Sequence, residues 1–236
     1  MSAIFKREFK SFFNTPIGYV FLALMLFAQG NSFADMYAVG SADISYIFGS
    51  FFGFAAIFLL IPVLTMRTMS EDRRQKVDQV LITSPVSLYS IVFGKFFATL
   101  AMFMTGYAMT VVFQIIIVFQ GVTVNWMLFI GNILGVLLIG SALIAMGIFI
   151  SALTESQIVS AVGSFAVSIV LYMMDSIAES IDNRIVTNIV EKVSFIGRYQ
   201  TFSSGIIDYS NIVFFVGFAA IFIFLTVRVL DKRRYS

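Results

Sequence analysis

The sequence of 236 residues contains no cysteine and no histidine, and only 12% of its residues carry a charge. Without cysteine the chain cannot form disulfides, and without either residue it has no zinc, copper or haem site of the ordinary kind. Catalysis by a serine–histidine or cysteine–histidine pair is excluded for the same reason. No HExxH motif and no pair of carboxylates falls within the apolar runs, which argues against an intramembrane enzyme.

Apolar residues are abundant in place of the missing charges. They make up 59% of the chain, and the mean hydropathy is +0.96. Soluble domains are about a quarter charged, so a soluble core could not cover this much apolar surface, and the solvent must be lipid. Because a helix needs about 20 apolar residues to cross the hydrocarbon layer, we expect an all-α membrane protein with a single transmembrane domain over residues 1–236. Its six predicted spans cover residues 16–34, 45–66, 92–119, 126–151, 157–174 and 211–230.

The lysine and arginine residues are distributed unevenly about these spans. Twelve of the 15 lie at the N-terminus, in the loop of residues 67–88, at the foot of the third span or at the C-terminus. The other side holds only Arg184, Lys192 and Arg198. By the positive-inside rule the twelve mark the cytoplasm. Both termini and the 67–88 loop are therefore predicted to be cytoplasmic, which agrees with an even number of spans.

Residues 3–13 place phenylalanine at roughly helical spacing, with Lys6, Arg7 and Lys10 between the aromatic rings. This pattern is typical of a basic amphipathic helix that lies in the membrane interface. We therefore expect an N-terminal interfacial helix that contacts lipid and anchors the first span. Pro16 suits the first turn of that span.

The loop of residues 67–88 has the pattern of a short amphipathic helix over residues 70–83. Ser70 can cap its start, and Glu71 and Asp72 suit its positive first turn. A short apolar stripe follows at helical spacing before Ser84-Pro85 ends the helix. The stripe consists of Val77, Val80 and Leu81. A helix of this length is not stable alone, so it must dock on a surface, which is either the membrane itself or a protein partner.

The predicted outer loop of residues 175–210 is too apolar for a free loop. A β-branched residue recurs there every four positions, which predicts helix. These residues are Ile177, Ile181, Ile185, Ile189 and Val193. Gly197 is expected to interrupt the helical pattern. We expect helices that rest on the outer leaflet or enter it part-way as re-entrant segments, since irregular backbone at that depth is tolerated only against protein or water.

Charged residues are almost absent from the spans. Lys95 and Arg228 lie near inner ends, where their long side chains can reach the interface. Ionisable groups inside a membrane usually mark proton or ion pathways, so a proton-coupled carrier is disfavoured. Gly94-Lys95 lacks the upstream glycine of a phosphate-binding loop and cannot cradle phosphate. The turn of residues 152–156 is expected to be too small to hold a site.

Small, polar and aromatic residues within the spans give weaker signals. Two GxxxG pairs permit close helix contact, within the chain or between subunits. They are Gly49 with Gly53 and Gly131 with Gly135. Uncharged polar residues favour hydrogen bonds between helices, and lining a substrate path is the alternative. They are Gln29, Gln114, Asn132 and Gln157. Span two carries a phenylalanine cluster that is either packing bulk or an aromatic face for an amphiphile. The candidate substrate-path residues are Phe51, Phe52, Phe58 and Gln157.

Two classes of function are compatible with these observations. A membrane scaffold or receptor that docks a cytoplasmic partner needs only spans and a loop. A transport subunit driven by a separate ATPase explains more, because it also accounts for spans without charge and for the missing Walker A motif. No feature of the sequence points to nucleic acid as a partner.

Several motifs resemble one family over essentially the whole chain. The first stretch is SEDRR at residues 70–74, followed by LITSPV at 81–86 and by Gly94-Lys95-Phe96. With six spans and a basic N-terminal helix, these motifs resemble the type-2 ABC exporter permeases. The second stretch is YQTFSSGIID at residues 199–208, before the last span. It resembles the gliding-motility-type permease branch. Relatives often carry Gly-Thr after the paired basic residues, where this chain has Lys76-Val77.

The resemblance implies an assembly in the bacterial cytoplasmic membrane. Two permease chains, identical or different, would pair above two cytoplasmic ATPase subunits, which would bind ATP and magnesium while this chain binds no cofactor. The loop between spans two and three would be the coupling helix that docks the ATPase. Its polar docking residues would be Glu71, Arg73 and Arg74, and its apolar docking residues Val77, Val80 and Leu81.

The resemblance also implies where a substrate would pass. Spans two and five would flank a central path at the dimer interface, and the outer helices between spans five and six would form its external gate. The gliding-motility-type branch often works with an additional membrane-anchored extracytoplasmic subunit. Substrates of such families include lipids, glycans, peptides and drugs.

Overall fold

The computed structural model describes residues 1–40, 43, 45–77, 86–121, 125–180, 190 and 192–234, with only the backbone of residues 178–180 and 234. All regular secondary structure within these residues is helical. The helices are α1 (Ser2–Asn14), α2 (Pro16–Ala38), α3 (Ser45–Gly49), α4 (Phe51–Thr65), α5 (Ser70–Arg74), α6 (Leu88–Phe119), α7 (Trp126–Leu153), α8 (Gln157–Ser180), α9 (Phe195–Ser203) and α10 (Tyr209–Arg234).

Six stretches of the described chain are long and apolar enough to cross a membrane, which confirms the predicted all-α membrane protein with six spans. They are Pro16–Ala38, Phe51–Arg74, Leu88–Phe119, Trp126–Leu153, Gln157–Ile177 and Tyr209–Arg233. Each overlaps one predicted span. Five of them extend beyond it by at most four residues at either end, whereas the second begins six residues later and ends eight residues later than predicted. Hydropathy marks where a span lies, whereas capping residues decide where its helix ends.

α1 and α2 are separated by a sharp turn rather than joined as one helix. Thr15 adopts an extended conformation with φ of −121°, and Pro16 begins α2 as expected. A Cβ atom placed on Gly18 would lie 2.1 Å from the carbonyl oxygen of Phe12. Only glycine therefore allows α1 to fold back this closely on the first turn of α2.

The second predicted span, residues 45–66, is not one continuous helix as expected. It divides at Ser50 into α3 and α4, and the Ser50 hydroxyl accepts a hydrogen bond of 3.1 Å from the Gly53 amide. The same hydroxyl lies 2.6 Å from that of Ser32 on α2. The break is stable because the serine satisfies the backbone group that it exposes. Gly53 packs against the carbonyl oxygen of Ile47, so this glycine serves the break rather than a contact between two spans.

α7 is the central span of the bundle. In its most apolar stretch 72% of the residues are buried, against 17% in α8. Small residues let neighbouring helices approach α7 closely. A Cβ atom on Gly140 would lie 2.3 Å from the Phe103 ring of α6, and one on Gly147 would lie 2.3 Å from the Thr65 hydroxyl of α4. Four of the other spans, α4, α6, α8 and α10, pack against α7, whereas α2 packs against α4 and α6.

The predicted coupling helix over residues 70–83 is not one continuous helix, because it is interrupted after Arg74. α5 ends at Arg74, and Lys76 adopts a left-handed conformation with φ of +58°, which an α-helix cannot contain. Glycine is the residue that adopts this conformation most readily, so a lysine at this position is unusual. Ser70 is not the cap, because Met69 occupies that position and the Ser70 hydroxyl donates to the Met66 carbonyl instead. Val80, Leu81 and Ser84-Pro85 lie outside the described residues.

The predicted outer helices are described in part. α9 contains Gly197, so the expectation that this glycine interrupts the helix is wrong. The Ser194 hydroxyl accepts a hydrogen bond of 2.8 Å from the Gly197 amide and caps the helix start. Ile181, Ile185 and Ile189 of the predicted pattern lie outside the described residues.

Different helices lie at the two ends of the bundle. At one end, α1 and α5 meet the start of α6 and the final turns of α7 and α10; we call it the α1 end. The opposite end, which holds α3, α9 and the first turns of α7 and α10, is the α9 end. The guanidinium of Arg233 donates to the carbonyl of Ala152 near the end of α7. The N-terminal helix and the C-terminal turn of α10 therefore lie at the same end.

Candidate functional site

The 66–77 segment, which contains α5, is fixed to the last turn of α7 by one side chain. The buried hydroxyl of Ser151 accepts hydrogen bonds of 3.1 Å from the amides of Met69 and Ser70. It also lies 3.0 Å from the carbonyl oxygen of Met66, to which it donates. Since α5 has no side-chain cap of its own, this serine satisfies the backbone groups at its start. A serine inside an apolar run gave no signal of this role in the sequence.

A second connection joins the 66–77 segment to the turn between α7 and α8. Arg73 forms an ion pair of 2.8 Å with Glu155, and its guanidinium donates to the carbonyl of Leu153 at 3.3 Å. The turn of residues 152–156 therefore contributes to the site, although the sequence indicated that it was too small to do so. It supplies both a carboxylate and a carbonyl acceptor.

Lys95 of α6 does not reach the interface as predicted, because its side chain is only 1% exposed. Its ammonium donates to the Thr68 carbonyl at 2.5 Å and to Glu8 Oε1 at 3.2 Å, and it lies 2.7 Å from Asp72 Oδ2. The buried ammonium therefore donates two hydrogen bonds and has Asp72 as a third, ion-pair contact, although Asp72 Oδ2 accepts no hydrogen bond. The three partners belong to the 66–77 segment and to α1.

Arg7 completes the Lys95 cluster, which we define as Arg7, Glu8, Asp72 and Lys95. The Arg7 guanidinium lies 2.5 Å from Glu8 and 3.7 Å from Asp72. The cluster contains two cations and two carboxylates and is therefore neutral. Burial alone would raise the pKa of Glu8, but attraction to Lys95 and bonding to Arg7 outweigh burial and hold the pKa below its usual value of 4.5. Glu8 is thus a carboxylate at neutral pH.

Arg67, at the end of α4, is the second buried cation of the site and is 7% exposed. Its guanidinium donates to the hydroxyls of Thr15 at 2.6 Å and Ser11 at 2.5 Å. It lies 3.4 Å from Glu71 and 5.4 Å from the centre of the Phe12 ring. One side chain therefore joins α1, the turn before α2 and the 66–77 segment.

Four of the six predicted docking residues lie together at the α1 end. They are Glu71, Arg73, Arg74 and Val77, whereas Val80 and Leu81 lie outside the described residues. Glu71 and Arg73 face neighbouring parts of the same chain through their ion pairs with Arg67 and Glu155. Arg74 is exposed and forms no ion pair with any residue that the structure describes.

A polar cavity of about 270 Å³ opens between α1 and the 66–77 segment. Its walls include Arg7, Ser11, Arg67, Glu71, Asp72 and Gln75. The carboxylates around it are paired with the buried cations, while other cations near it point outward. The exposed cations near the cavity that form no ion pair with a residue of the described ranges are Lys6, Lys10, Arg74 and Lys76. The outer surface of the α1 end is therefore positively charged.

The predicted substrate-path residues do not form one surface within the chain. Phe51 is 71% exposed at the start of α4 and contacts Phe52 at a ring distance of 5.8 Å. Phe58 is buried against Tyr172 of α8 at 5.3 Å. Gln157 begins α8 at the α1 end, far from Phe51 along the bundle. The structure thus brings Phe51 and Phe52 together and separates them from Gln157.

Two of the polar residues within the spans form the hydrogen bonds expected between helices. Gln29 of α2 donates to the carbonyl of Gly106 on α6 at 2.9 Å. Asn132 of α7 accepts from the Tyr199 hydroxyl of α9 at 2.7 Å and donates to Ser45 of α3 at 3.2 Å. Tyr199 was not among the candidates from the sequence, since its partner lies 67 residues away.

The second GxxxG pair lies against α9. A Cβ atom on Gly131 would lie 2.4 Å from the carbonyl oxygen of Phe202, and one on Gly135 would lie 3.0 Å from the Tyr199 ring. These glycines therefore serve a contact within the chain.

Within the described part of the chain, no three acidic side chains come together as ligands for a metal ion.

Comparison with known proteins identifies the family of this chain. No curated protein matches the sequence. The family model described as ABC-2 type transporter matches residues 1–183. The match includes α1, the 66–77 segment and the first five candidate spans, which contain every residue of the Lys95 cluster. The chain, a multi-pass membrane protein with the features of a permease, belongs to the ABC-2 type transporter family.

Proposed function

We propose that this chain is the membrane-spanning permease subunit of an ABC-type exporter, with ATP hydrolysis carried out by separate subunits that bind ATP and magnesium. The observation that carries the proposal is the 66–77 segment at the α1 end. It is held by Ser11 of α1, Lys95 of α6 and Ser151 of α7. It nevertheless presents an exposed arginine, Arg74. A segment that only rested on lipid would have little need of three separate connections to its own bundle.

The proposal places the α1 end in the cytoplasm. Exposed lysine and arginine residues are concentrated at this end, and such residues favour the cytoplasmic side of a bacterial membrane. The aromatic face of α1 would then lie in the inner interface, where it contacts lipid. Single-cysteine labelling suits this chain because it has no cysteine of its own.

Within the docking surface, the proposed roles of the residues differ. Arg74 and the apolar Val77, Val80 and Leu81 contact the ATPase. Glu71 and Arg73 hold the segment in place through Arg67 and Glu155. A small docking surface concentrates its affinity in a few side chains, so loss of Arg74 should strongly weaken binding of the ATPase.

The finer parts of the proposal concern partners and path. A second permease chain, identical or different, would pair with this one, and α4 and α8 would flank the substrate path. The low burial of α8 supports this placement, because most of its apolar surface is left for lipid or a second chain. The motifs at residues 199–208 support the gliding-motility-type branch, with a further extracytoplasmic subunit.

Co-purification tests the docking role. The chain is co-expressed with a candidate ABC ATPase subunit, and the recovered ATPase is compared for wild type, Arg74→Glu and Lys10→Glu. Both variants reverse one exposed cation at the α1 end. We expect Arg74→Glu to lose most of the ATPase and Lys10→Glu to retain it, with both inserted normally in the membrane. Full recovery with Arg74→Glu would refute the docking role. If no ATPase binds the wild type, the scaffold function is the better account.

A further inference from the structure

α1 has two faces that do different things. Phe5, Phe9 and Phe13 stack along one face, with ring distances of 5.9 and 5.3 Å. The other face carries Glu8 and Ser11, which contact Lys95 and Arg67. A helix that served only as a lipid anchor would turn its polar residues to water. Here Lys6 and Lys10 are exposed, but Glu8 and Ser11 are directed into the chain instead.

The contacts on this second face are made by the two most buried cations of the site. Lys95 and Arg67 are 1% and 7% exposed, whereas their carboxylate partners keep more contact with solvent. Lys95 of α6 bonds to α1 and to the 66–77 segment at once. Arg67 belongs to the 66–77 segment, where it pairs with Glu71, and it bonds to Ser11 of α1. Separation of α1 from the segment would therefore remove a partner from each buried cation, and a buried charge without its partner is strongly disfavoured.

The backbone geometry brings α1 close to Lys95. Gly94 lies beneath Ile4, and a Cβ atom at that glycine would come within 2.9 Å of the Ile4 side chain. The glycine thus lets α1 cross α6 in direct contact, one residue before the lysine that binds Glu8. The Gly94-Lys95 pair, which cannot bind phosphate, therefore has a structural role at this crossing.

Resting on the proposed function, we propose that Lys95 and Arg67 are positioning residues that lock α1 to the 66–77 segment, so that both move as one unit when the ATPase changes state. The side chain of Lys95 connects this unit to α6. The side chain of Arg67 connects it to Thr15, which immediately precedes α2. α1 is accordingly a mechanical part of the permease, in addition to any contact that it makes with lipid.

Spin-label distance measurements test the lock. Nitroxide labels are placed on cysteines introduced at Lys6 of α1 and Gln75 of the 66–77 segment, both of which are exposed. Distances are measured in lipid nanodiscs for the permease alone and for its complex with the ATPase, without nucleotide and with ATP and vanadate. We expect a narrow distribution that does not shift between these states. A nucleotide-dependent shift in the wild type would overturn the proposal.

The variants separate positioning from simple loss of structure. Lys95→Met should broaden the Lys6–Gln75 distribution and make it respond to nucleotide, whereas Lys10→Met, which removes an exposed cation from α1, should change neither. Thr15→Val removes one acceptor of Arg67 without changing charge and should cause a smaller broadening. If Lys95→Met does not fold, the double variant Lys95→Met with Glu8→Gln removes opposite charges together and should broaden the distribution in the same way.

The measurement on the permease alone does not depend on the ATPase. A Lys95→Met distribution as narrow as the wild type would refute the lock, whatever binds beneath it. If the distribution broadens but no ATPase binds the wild type, the lock stands as a contact within the chain. The statement that it moves with an ATPase is then overturned together with the proposed function.

Discussion

At the α1 end, Lys95 and Arg67 join helices that are distant in sequence through ion pairs and charged hydrogen bonds. At the α9 end, α9 rests on α7 through the close approach at Gly131 and the neutral hydrogen bond between Tyr199 and Asn132. Both ends fix a short helix against the bundle. The α1 end does so through ion pairs and charged hydrogen bonds, and the α9 end mainly through close packing.

One charged residue of the α9 end shows the difference most clearly. Arg198 donates to Asn211 at 2.6 Å and to the carbonyl of Lys192, and it lies 4.2 Å from the Phe214 ring. All of these partners are neutral, and Arg198 is only partly buried. Loss of such a contact can be compensated by water, whereas loss of Lys95 leaves two carboxylates that share one cation, Arg7.

The comparison suggests how each end responds to change. An end held by buried ion pairs keeps one geometry until a partner is lost, because any intermediate position leaves a charge unsatisfied. An end held by close apolar contacts tolerates small shifts but not added volume. The following variants test this difference, and each is measured by thermal unfolding of the purified protein in detergent.

Lys95→Met should have the largest effect, because it leaves Glu8 and Asp72 beside each other without their buried cation. Removing one partner of a buried ion pair costs up to about 5 kcal/mol, and we expect about 3 kcal/mol because both carboxylates keep some contact with water. Lys10→Met is the matched control and should leave the unfolding midpoint unchanged. Equal midpoints for the two variants would show that ion pairs do not distinguish the α1 end.

Gly131→Ala should have the largest effect at the α9 end. The new methyl would lie 2.4 Å from the carbonyl oxygen of Phe202, so α9 must move away from α7. We expect a loss of about 2 kcal/mol from this overpacking. Gly217→Ala on α10 is the control, because a Cβ atom there meets no other atom within 4 Å. A Gly131→Ala variant as stable as this control would contradict close packing as the basis of the α9 end.

Tyr199→Phe should have a smaller effect, because it removes one neutral hydrogen bond and leaves the Asn132 carbonyl oxygen without its donor. Such a bond contributes about 1 kcal/mol. Tyr209→Phe, at a tyrosine that is 80% exposed, is the control. A loss as large as that of Lys95→Met would mean that a neutral bond holds its end as strongly as the ion pairs hold theirs.

Acid should weaken the α1 end only at low pH. The pKa of Glu8 is lowered in the folded chain, so its contribution to stability is complete above the ordinary value of 4.5 and is lost as the pH falls through the lower folded value. Unfolding midpoints between pH 6 and pH values below 4.5 should therefore fall more for the wild type than for Glu8→Gln. Equal decreases in both proteins would exclude Glu8 as a source of this pH dependence.

The spans could be predicted from the sequence because hydropathy is a local property. The division of the second span at Ser50 could not, since it depends on the Ser32 hydroxyl of a neighbouring helix as well as on local capping. The end of α5 at Arg74, two residues before the left-handed Lys76, was also missed. A lysine in a left-handed conformation is disfavoured in isolation, so local propensity gave no sign of it.

The position of the site could be predicted from the sequence, but the contacts between its residues could not. The loop after span two stood out because it is charged in an apolar chain. The partners of Lys95 could not be predicted from the sequence, because Glu8 lies 87 residues before it and only folding brings the two together. Ser151 and Glu155 were missed for the same reason, since their contacts with the 66–77 segment cross more than 80 residues.

The sequence by itself determined that the solvent is lipid and that the chain has six spans, since the free energy of placing a span in lipid depends on its own residues. It also determined which end of the bundle is rich in cations. Only the tertiary structure decided which cations face outward and which are buried. A buried charge requires partners on three sides, and those partners come from helices that meet only in the folded bundle.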